Sequence, residues 1–296
     1  MKTLYLIDAS LYIFRAWHSM PPEFADIDGA PVNAVHGFTR FLCDFLERVK
    51  PTHALAAFDE SLTSSFRNAI YPEYKANREL PPAELKVQFD YCKQVAAALG
   101  LSVVADEQYE ADDLIGSAVI MSRAHDFRAV IVSADKDFGQ LIGIQDEQWD
   151  FSKNERWDAD GVKRRLGVRP DQVVDYLALT GDAVDNIPGV PGIGPKTAAG
   201  LLAHFGSLDI LLARIEEVPY LRLRAAGQTY ARLKAHREQA LLSQRLSAIA
   251  LDAPVPRHID AMCWRDPDTV ALDALFERLR FGPLTRSRCR ALRSGG

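Results

Sequence analysis

The stretch "QYEADDLIGSAVI", residues 108–120, places Glu110, Asp112 and Asp113 within four consecutive positions at the head of an apolar helical run. One or two acids there need no special account, because a first-turn carboxylate facing the helix dipole contributes about 0.3–1 kcal/mol. Three are different. Glu110 and Asp113 share a helical face, where like charges repel, and burying ionised carboxylates without a counter-charge costs more than a helix end returns. No Arg or Lys stands between Lys93 and Arg123 to pair with them locally. A divalent cation is the natural counter-ion.

Three further groups of acids fit that chemistry. "SADKD" sets Asp135 and Asp137 two apart at a strand end, on one side of it, and "TGDAVDN" sets Asp182 and Asp185 three apart, one face if the segment is helical. Asp8 and Asp59 complete a set of nine. An all-carboxylate site suits Mg²⁺ or Mn²⁺ rather than Zn²⁺. So many acids exceed the need of one ion and point to two, about 4 Å apart, the arrangement that promotes phosphodiester hydrolysis.

The second informative stretch is "NIPGVPGIGPKTAAGLLAHFGS". Gly189, Gly192 and Gly194 do not have nucleotide-loop spacing: Pro195 separates Gly194 from Lys196, and Thr197 stands where a dinucleotide motif requires a third Gly. The string fits a helix, a Gly-rich hairpin with outward N–H groups, and a second helix opening at Lys196 and Thr197. Such a terminus binds backbone phosphate without reading bases.

The elements that must position these residues follow from periodicity. "TLYLIDAS", "HALAAFDE", "LSVVA" and "RAVIVSADKD" read as strands separated by amphipathic segments, implying an α/β domain with a mostly parallel central sheet flanked by helices. Three of the four end in acids, and ligands of such sheets gather at the strands' carboxyl ends. After about residue 170 the chain reads as helical. "FRNAIYPEYKANRELPPAELKVQFDYCK" interleaves aromatics and cations, as a surface loop or a segment touching a phosphate backbone would.

The 296 residues are 48% hydrophobic and 25% charged, a globular composition without an 18-residue apolar run, so no membrane span is expected. Asp8 interrupts the apolar N-terminus, which reads as a buried strand rather than a signal peptide. The four cysteines are far apart and lack a C-x-x-C pair, which disfavours zinc and disulfides and fits a reducing cytoplasm. Setting the nine acids aside turns the net charge of −5 into +4, and "ERLRFGPLTRSRCRALR" alone carries six arginines. That stretch is either a basic surface for a polyanion or an ordinary solvated face.

Together these motifs resemble the 5′-nuclease family of flap endonucleases and 5′→3′ exonucleases: "LIDASLYIFRAWH", "FRNAIYPEYKANR", "YEADDLIG", "VSADKDFGQL", "LTGDAVDNIPGVPGIGPKTA" and "FERLRFGPL" stand in that family's order across nearly the whole chain. The resemblance implies a PIN-like nuclease core over 1–172, a helical arch over about 62–95, and a helical subdomain over 173–296 containing a helix–hairpin–helix element at about 176–206. It implies Asp8, Asp59, Glu110 and Asp112 as ligands of a first divalent ion, and Asp113, Asp135, Asp137, Asp182 and Asp185 as the group around a second. Lys75 and Arg78, with Asp112 and Asp113, would be catalytic. Arg67, Lys75 and Arg78 would contact the scissile phosphate or the threaded strand, Tyr74 would stack on a base, and Gly192, Gly194, Lys196 and Thr197 would hold duplex DNA. A K⁺ ion would sit on the main-chain carbonyls of Leu179, Thr180, Pro188, Val190 and Ile193.

The expected activity is two-metal hydrolysis of DNA at junctions between a 5′ single strand and a duplex, in replication or repair. The protein is expected to be a cytoplasmic monomer, either a free-standing nuclease working with a separate DNA polymerase or a nuclease cut from one. Two other readings stand beside it: a catalytically silent DNA-structure-binding protein, and an RNase of related architecture. The intact acidic set disfavours the first, and the duplex-gripping hairpin disfavours the second.

Overall fold

The computed structural model describes residues 1–21, 23–60 and 64–293. Residues 62 and 63 of the expected arch, and 294–296, lie outside them. Six strands form one sheet: β1 (Lys2–Asp8), β2 (His53–Asp59), β3 (Ser102–Asp106), β4 (Phe127–Val132), β5 (Glu147–Asp150) and β6 (Glu155–Trp157), in the order β3-β2-β1-β4-β5-β6. All pairings are parallel except β5 with β6. The first four are the strands read from sequence. The chain winds outward from β1 to β3 and then crosses back to place β4 on the other side of β1. The carboxyl ends of β1 and β4 therefore form the switch point where such sheets open a crevice.

The first four strands are largely apolar because both sheet faces are covered. Leu4, Leu6, Leu55, Ala57, Ala129 and Ile131 point into one core, beneath the helix Ala111–Ala124 and the helical half of the molecule. Ile7, Ala54, Ala56, Phe58, Val130 and Val132 point into the other, beneath the helices Asn33–Val49 and Ala83–Ala98. No described helix is long and apolar enough to cross a membrane.

Two boundaries differ from expectation. Between the short helix Phe66–Ile70 and the helix Ala83–Ala98, the expected arch is a series of turns. It docks on the loop 182–186, through the Lys75 backbone N–H to the Asp185 carbonyl (3.0 Å) and the Asn77 side-chain Nδ2 to the Ala183 carbonyl (2.7 Å). The last part of the chain also leaves the helical subdomain. Trp264, Leu272, Phe276, Leu279, Phe281 and Cys289 are buried in the core with the 33–49 and 83–98 helices. The arginines of that return segment are not a free basic surface: Arg278 pairs with Asp28 (2.6 Å), Arg288 with Asp44 and Glu47 (2.6 Å each), Arg290 with Asp273 (2.6 Å), and Arg286 with Glu277. Acids thus neutralise four of the six, which favours the ordinary solvated face.

Candidate metal centre and nucleic-acid interface

The acids collect at the carboxyl edge of the sheet, around the switch point. Asp8 closes β1 and caps the following helix, accepting from Leu11 N–H (3.1 Å) and from the Ser133 hydroxyl (2.8 Å) just beyond β4. Asp59 closes β2, where its N–H donates to the Ser10 hydroxyl (3.0 Å) and its carboxylate accepts from Ala111 N–H (2.9 Å). Asp135 caps the 3₁₀ turn Lys136–Leu141 by accepting from Asp137 N–H (3.0 Å). Ser10 and Ser133 thus orient two of the acids. Nothing in their spacing marks them, since hydroxyls beside strand ends are commonplace.

The three carboxylates of "YEADD" have three different tasks. Asp113, fully buried, receives both prongs of the Arg67 guanidinium (2.8 Å each) and the N–H groups of Glu110 (3.1 Å) and Ala250 (2.8 Å). It is a structural anchor and not, as expected from the sequence, a member of the second metal group. Glu110 receives Lys75 Nζ (2.6 Å), Arg67 (3.2 Å) and the Tyr74 hydroxyl (3.0 Å). The counter-charges that the local sequence lacks arrive from 43 and 35 positions upstream. Only Asp112 makes no direct ion pair among the described residues.

Arg67 and Tyr74 therefore change roles. Arg67 is 2% exposed and also donates to the carbonyls of Leu246 (2.9 Å) and Ala248 (2.7 Å), fastening the core to the helical subdomain. With its guanidinium so engaged, it does not contact a phosphate. Tyr74, 3% exposed, lies too deep to stack on a base.

The electrostatics divide the remaining acids into two touching groups. Burial, followed by the charges of Asp135, Asp8 and Asp59, pushes the Asp112 carboxyl well up. Burial, with the nearby Asp59, pushes Asp8 up to about 7, and burial also raises Asp59. In the adjoining group, burial and the charge of Asp135 push Asp137 up to about 7. Asp137 Oδ1 is buried without a hydrogen-bond partner. Asp182 is the exception: although burial opposes ionisation, the hydrogen bond and charge of Lys136 hold it below the usual carboxylate range. Asp135 raises both Asp112 and Asp137 and so joins the groups, rather than belonging only to the second. Asp182 and Asp185 lie in a turn closed by an Asp182–Ile187 bridge, not on a helix.

Buried oxygens that repel one another, and one that receives no hydrogen bond and only the Lys136 ammonium at 3.5 Å, are what a divalent-ion site of hard ligands looks like, so the residues fit Mg²⁺ or Mn²⁺. An unfolded carboxyl releases its proton near 3.8. Between about pH 4 and 7 the folded metal-free chain keeps protons on Asp8 and Asp137 that the unfolded chain has lost, so their contribution to stability falls as pH rises. A bound cation removes the cause. The gain in melting temperature on adding Mg²⁺ should therefore be larger at about pH 8 than at about pH 5.5; equal gains would contradict the assignment.

Lys75 stands at the rim of this pit with a left-handed backbone (φ 56°), and Asn186 opposite it has φ 55°. Non-glycine residues held there cost of order 1–3 kcal/mol, and such strain clusters at functional sites. Although burial opposes its charge, Glu110 and Asp185 hold the ammonium above its ordinary range. Arg78 pairs with Asp185 and keeps 37% of its side chain exposed. Lys136, between the acids of "SADKD", is a third cation of the pit that the sequence reading passed over.

The glycine hairpin joins the helices Val173–Thr180 and Pro195–Phe205. Its base is tight: a Cβ on Gly189 (φ 60°) would lie 2.6 Å from Gly181 Cα, and one on Gly181 (φ 71°) 2.6 Å from the Ile187 carbonyl. Gly189→Ala should cost about 1–3 kcal/mol in thermal unfolding and weaken duplex binding more than it weakens Mg²⁺ binding; an unchanged melting temperature would contradict the packing. The tip is open. Gly192, Gly194 and Lys196 are exposed, and nothing lies within 4 Å of where a Gly194 Cβ would stand. Leu179 and Thr180 are pressed against 187–190, while the Leu179 and Val190 carbonyls already accept from Val190 and Ile193 N–H (2.9 and 3.0 Å).

Comparison with known proteins matches residues 3–167 to the 5′-3′ exonuclease N-terminal resolvase-like domain, and 168–270 to the 5′-3′ exonuclease C-terminal SAM fold. The chain belongs to the 5′-3′ exonuclease family. Among curated relatives, DNA polymerase I of Pseudomonas aeruginosa is 40% identical over 279 residues, which are 94% of this chain and 30% of the relative. DNA polymerase I of Rhizobium leguminosarum is 37% identical over 290 residues, 96% and 28%. The exonuclease-family chain thus spans under a third of their length. Its fold is shared by the 5′-exonuclease of phage T5 with bound divalent zinc ions (TM-score 0.67, 19% identity, 98% of both chains). It is also shared by the catalytic core of Rad2 in complex with a DNA substrate (TM-score 0.65, 14% identity, 98% of this chain and 91% of that one).

Proposed function

We propose that this chain hydrolyses DNA phosphodiesters near the junction of a 5′ single strand and a duplex, as a 5′→3′ exonuclease and 5′-flap endonuclease leaving 5′-phosphates. The observation that carries this reading is the uncompensated group Asp8, Asp59, Asp112 and Asp135 at the switch point, adjoining Asp137, Asp182 and Asp185. Glu110, already bound to Lys75, completes the first group from its edge. Two divalent cations there, Mg²⁺ or Mn²⁺, would supply an activated water and charge neutralisation at the leaving oxygen.

The chain's own residues do the rest. The Lys75 ammonium, held over the pit by a strained backbone, exchanges a carboxylate for the scissile phosphate and stabilises its developing charge. Arg78 steers the 5′ strand. Gly192, Gly194, Lys196 and Thr197 hold the duplex backbone, with K⁺ on the carbonyls of Leu179, Thr180, Pro188, Val190 and Ile193. Lys75→Ala should lower turnover by about 10²–10³-fold with little change in duplex affinity; equal losses of turnover and affinity would make Lys75 a binding residue only. The reading takes the enzyme as cytoplasmic and monomeric, and the polymerase relatives support its acting beside a DNA polymerase in replication or repair. Competition between DNA and RNA 5′-flaps tests the substrate class. Preferential cutting of DNA supports the proposal, preferential cutting of RNA turns it to an RNase, and binding without cutting of either leaves a structure-binding protein.

A further inference from the structure

At the opposite end of the sheet from the acids, the fold brings together three residues far apart in sequence. His53 opens β2, while Asp260 lies within the 3₁₀ turn Ile259–Met262 and Cys263 ends it, an i, i+3 spacing that puts both on one side. Their ligand atoms all lie within 4.8 Å of one another, with His53 Nε2 3.2 Å from Cys263 Sγ. A tetrahedral zinc ion separates nitrogen, oxygen and sulfur ligands by about 3.3–3.6 Å, so only the exposed Asp260 carboxylate need close in. The two backbones are already fixed to each other: His53 and Cys263 form an antiparallel bridge, and Trp264 N–H donates to the Thr52 carbonyl (2.9 Å). His53 Nδ1 meets the Thr52 hydroxyl (3.0 Å), the outer contact that orients a ligating imidazole and leaves Nε2 for the metal.

We propose that His53, Asp260 and Cys263 form a second metal site, of zinc class with a fourth position for water, which fastens the returning segment 258–264 to the start of β2. Its nitrogen and sulfur donors reject Mg²⁺, so it is chemically separate from the carboxylate pit. The wide sequence spacing of the cysteines had argued against zinc. The fold supplies the nearness that the spacing lacks.

Co²⁺ titrated into the full chain under excess Mg²⁺ tests the site, because only a thiolate ligand gives the near-ultraviolet sulfur-to-cobalt absorption and the catalytic acids carry no sulfur. The wild-type chain should develop the band, Cys263→Ser and His53→Gln should lose most of it, and Thr52→Val should weaken Zn²⁺ binding on the order of 10-fold. Zn²⁺ should also raise the melting temperature of wild type but not of Cys263→Ser. No band in wild type, or an undiminished one in Cys263→Ser, overturns the proposal. Should the variants fail to fold, alkylation of the partly exposed Cys263 in wild type decides: protection by Zn²⁺ supports the site, and unchanged reactivity overturns it.

Discussion

Asp112→Asn should reduce Mg²⁺-dependent cleavage of a 5′-flap duplex on the order of 10³-fold or more, the loss of several kcal/mol of charge stabilisation, while duplex binding stays measurable. Asn keeps the shape and removes the charge. Among the acids of the "YEADD" stretch, Asp112 alone has no Arg or Lys bonded to it among the described residues, and its carboxyl is pushed up by burial and by Asp135, Asp8 and Asp59. It plays no part in the capping box between Glu110 and Asp113, so the helix start should survive. Removing one of several repelling charges should also raise the melting temperature of the metal-free protein. Higher metal-free stability together with lost activity is a signature that a purely structural Asp112 would not produce. Full activity in this variant would remove the residue from the site.

Arg67→Ala should destabilise the protein by about 3–5 kcal/mol, because it strands a fully buried Asp113 carboxylate. In thermal unfolding that is a drop of roughly 10 °C. Arg67→Lys should recover little, since one ammonium cannot reproduce two parallel bonds to Asp113 plus those to the Leu246 and Ala248 carbonyls. Replacing Arg67 by Met together with Asp113 by Leu should recover much of the loss. An Arg67→Ala protein that melts like wild type and binds DNA weakly would return Arg67 to the phosphate-contacting role expected from its motif.

The strands ending in Asp8 and Asp59, and β4 running to "SADKD", were legible because apolar runs bounded by turns carry a strong local signal, and their convergence follows from parallel-sheet topology. Of the two glycines at the hairpin base, Gly189 stood out in its Gly/Pro string, whereas Gly181 did not, because the close approach that requires it is to residues 187–189 across the turn. Strands β5 and β6 were missed, being four and three residues long and partly polar. The tasks of Arg67, Tyr74 and Asp113 were not legible. Each depends on a partner tens of positions away, and a carboxylate that will meet a guanidinium reads the same as one that will meet magnesium. The sequence left the arginines after residue 277 open between a polyanion surface and a solvated face because three of their acids, Asp28, Asp44 and Glu47, lie in distant parts of the chain.

The most direct test of the central claim is to map, to the nucleotide, the product of a labelled 5′-flap duplex incubated with the wild-type chain and Mg²⁺, with and without EDTA. A cut near the single-strand–duplex junction that carries a 5′-phosphate and vanishes with EDTA is the predicted result. No cut with Mg²⁺, or a cut that persists in EDTA, would contradict the reading of these acids as a metal-dependent nuclease site.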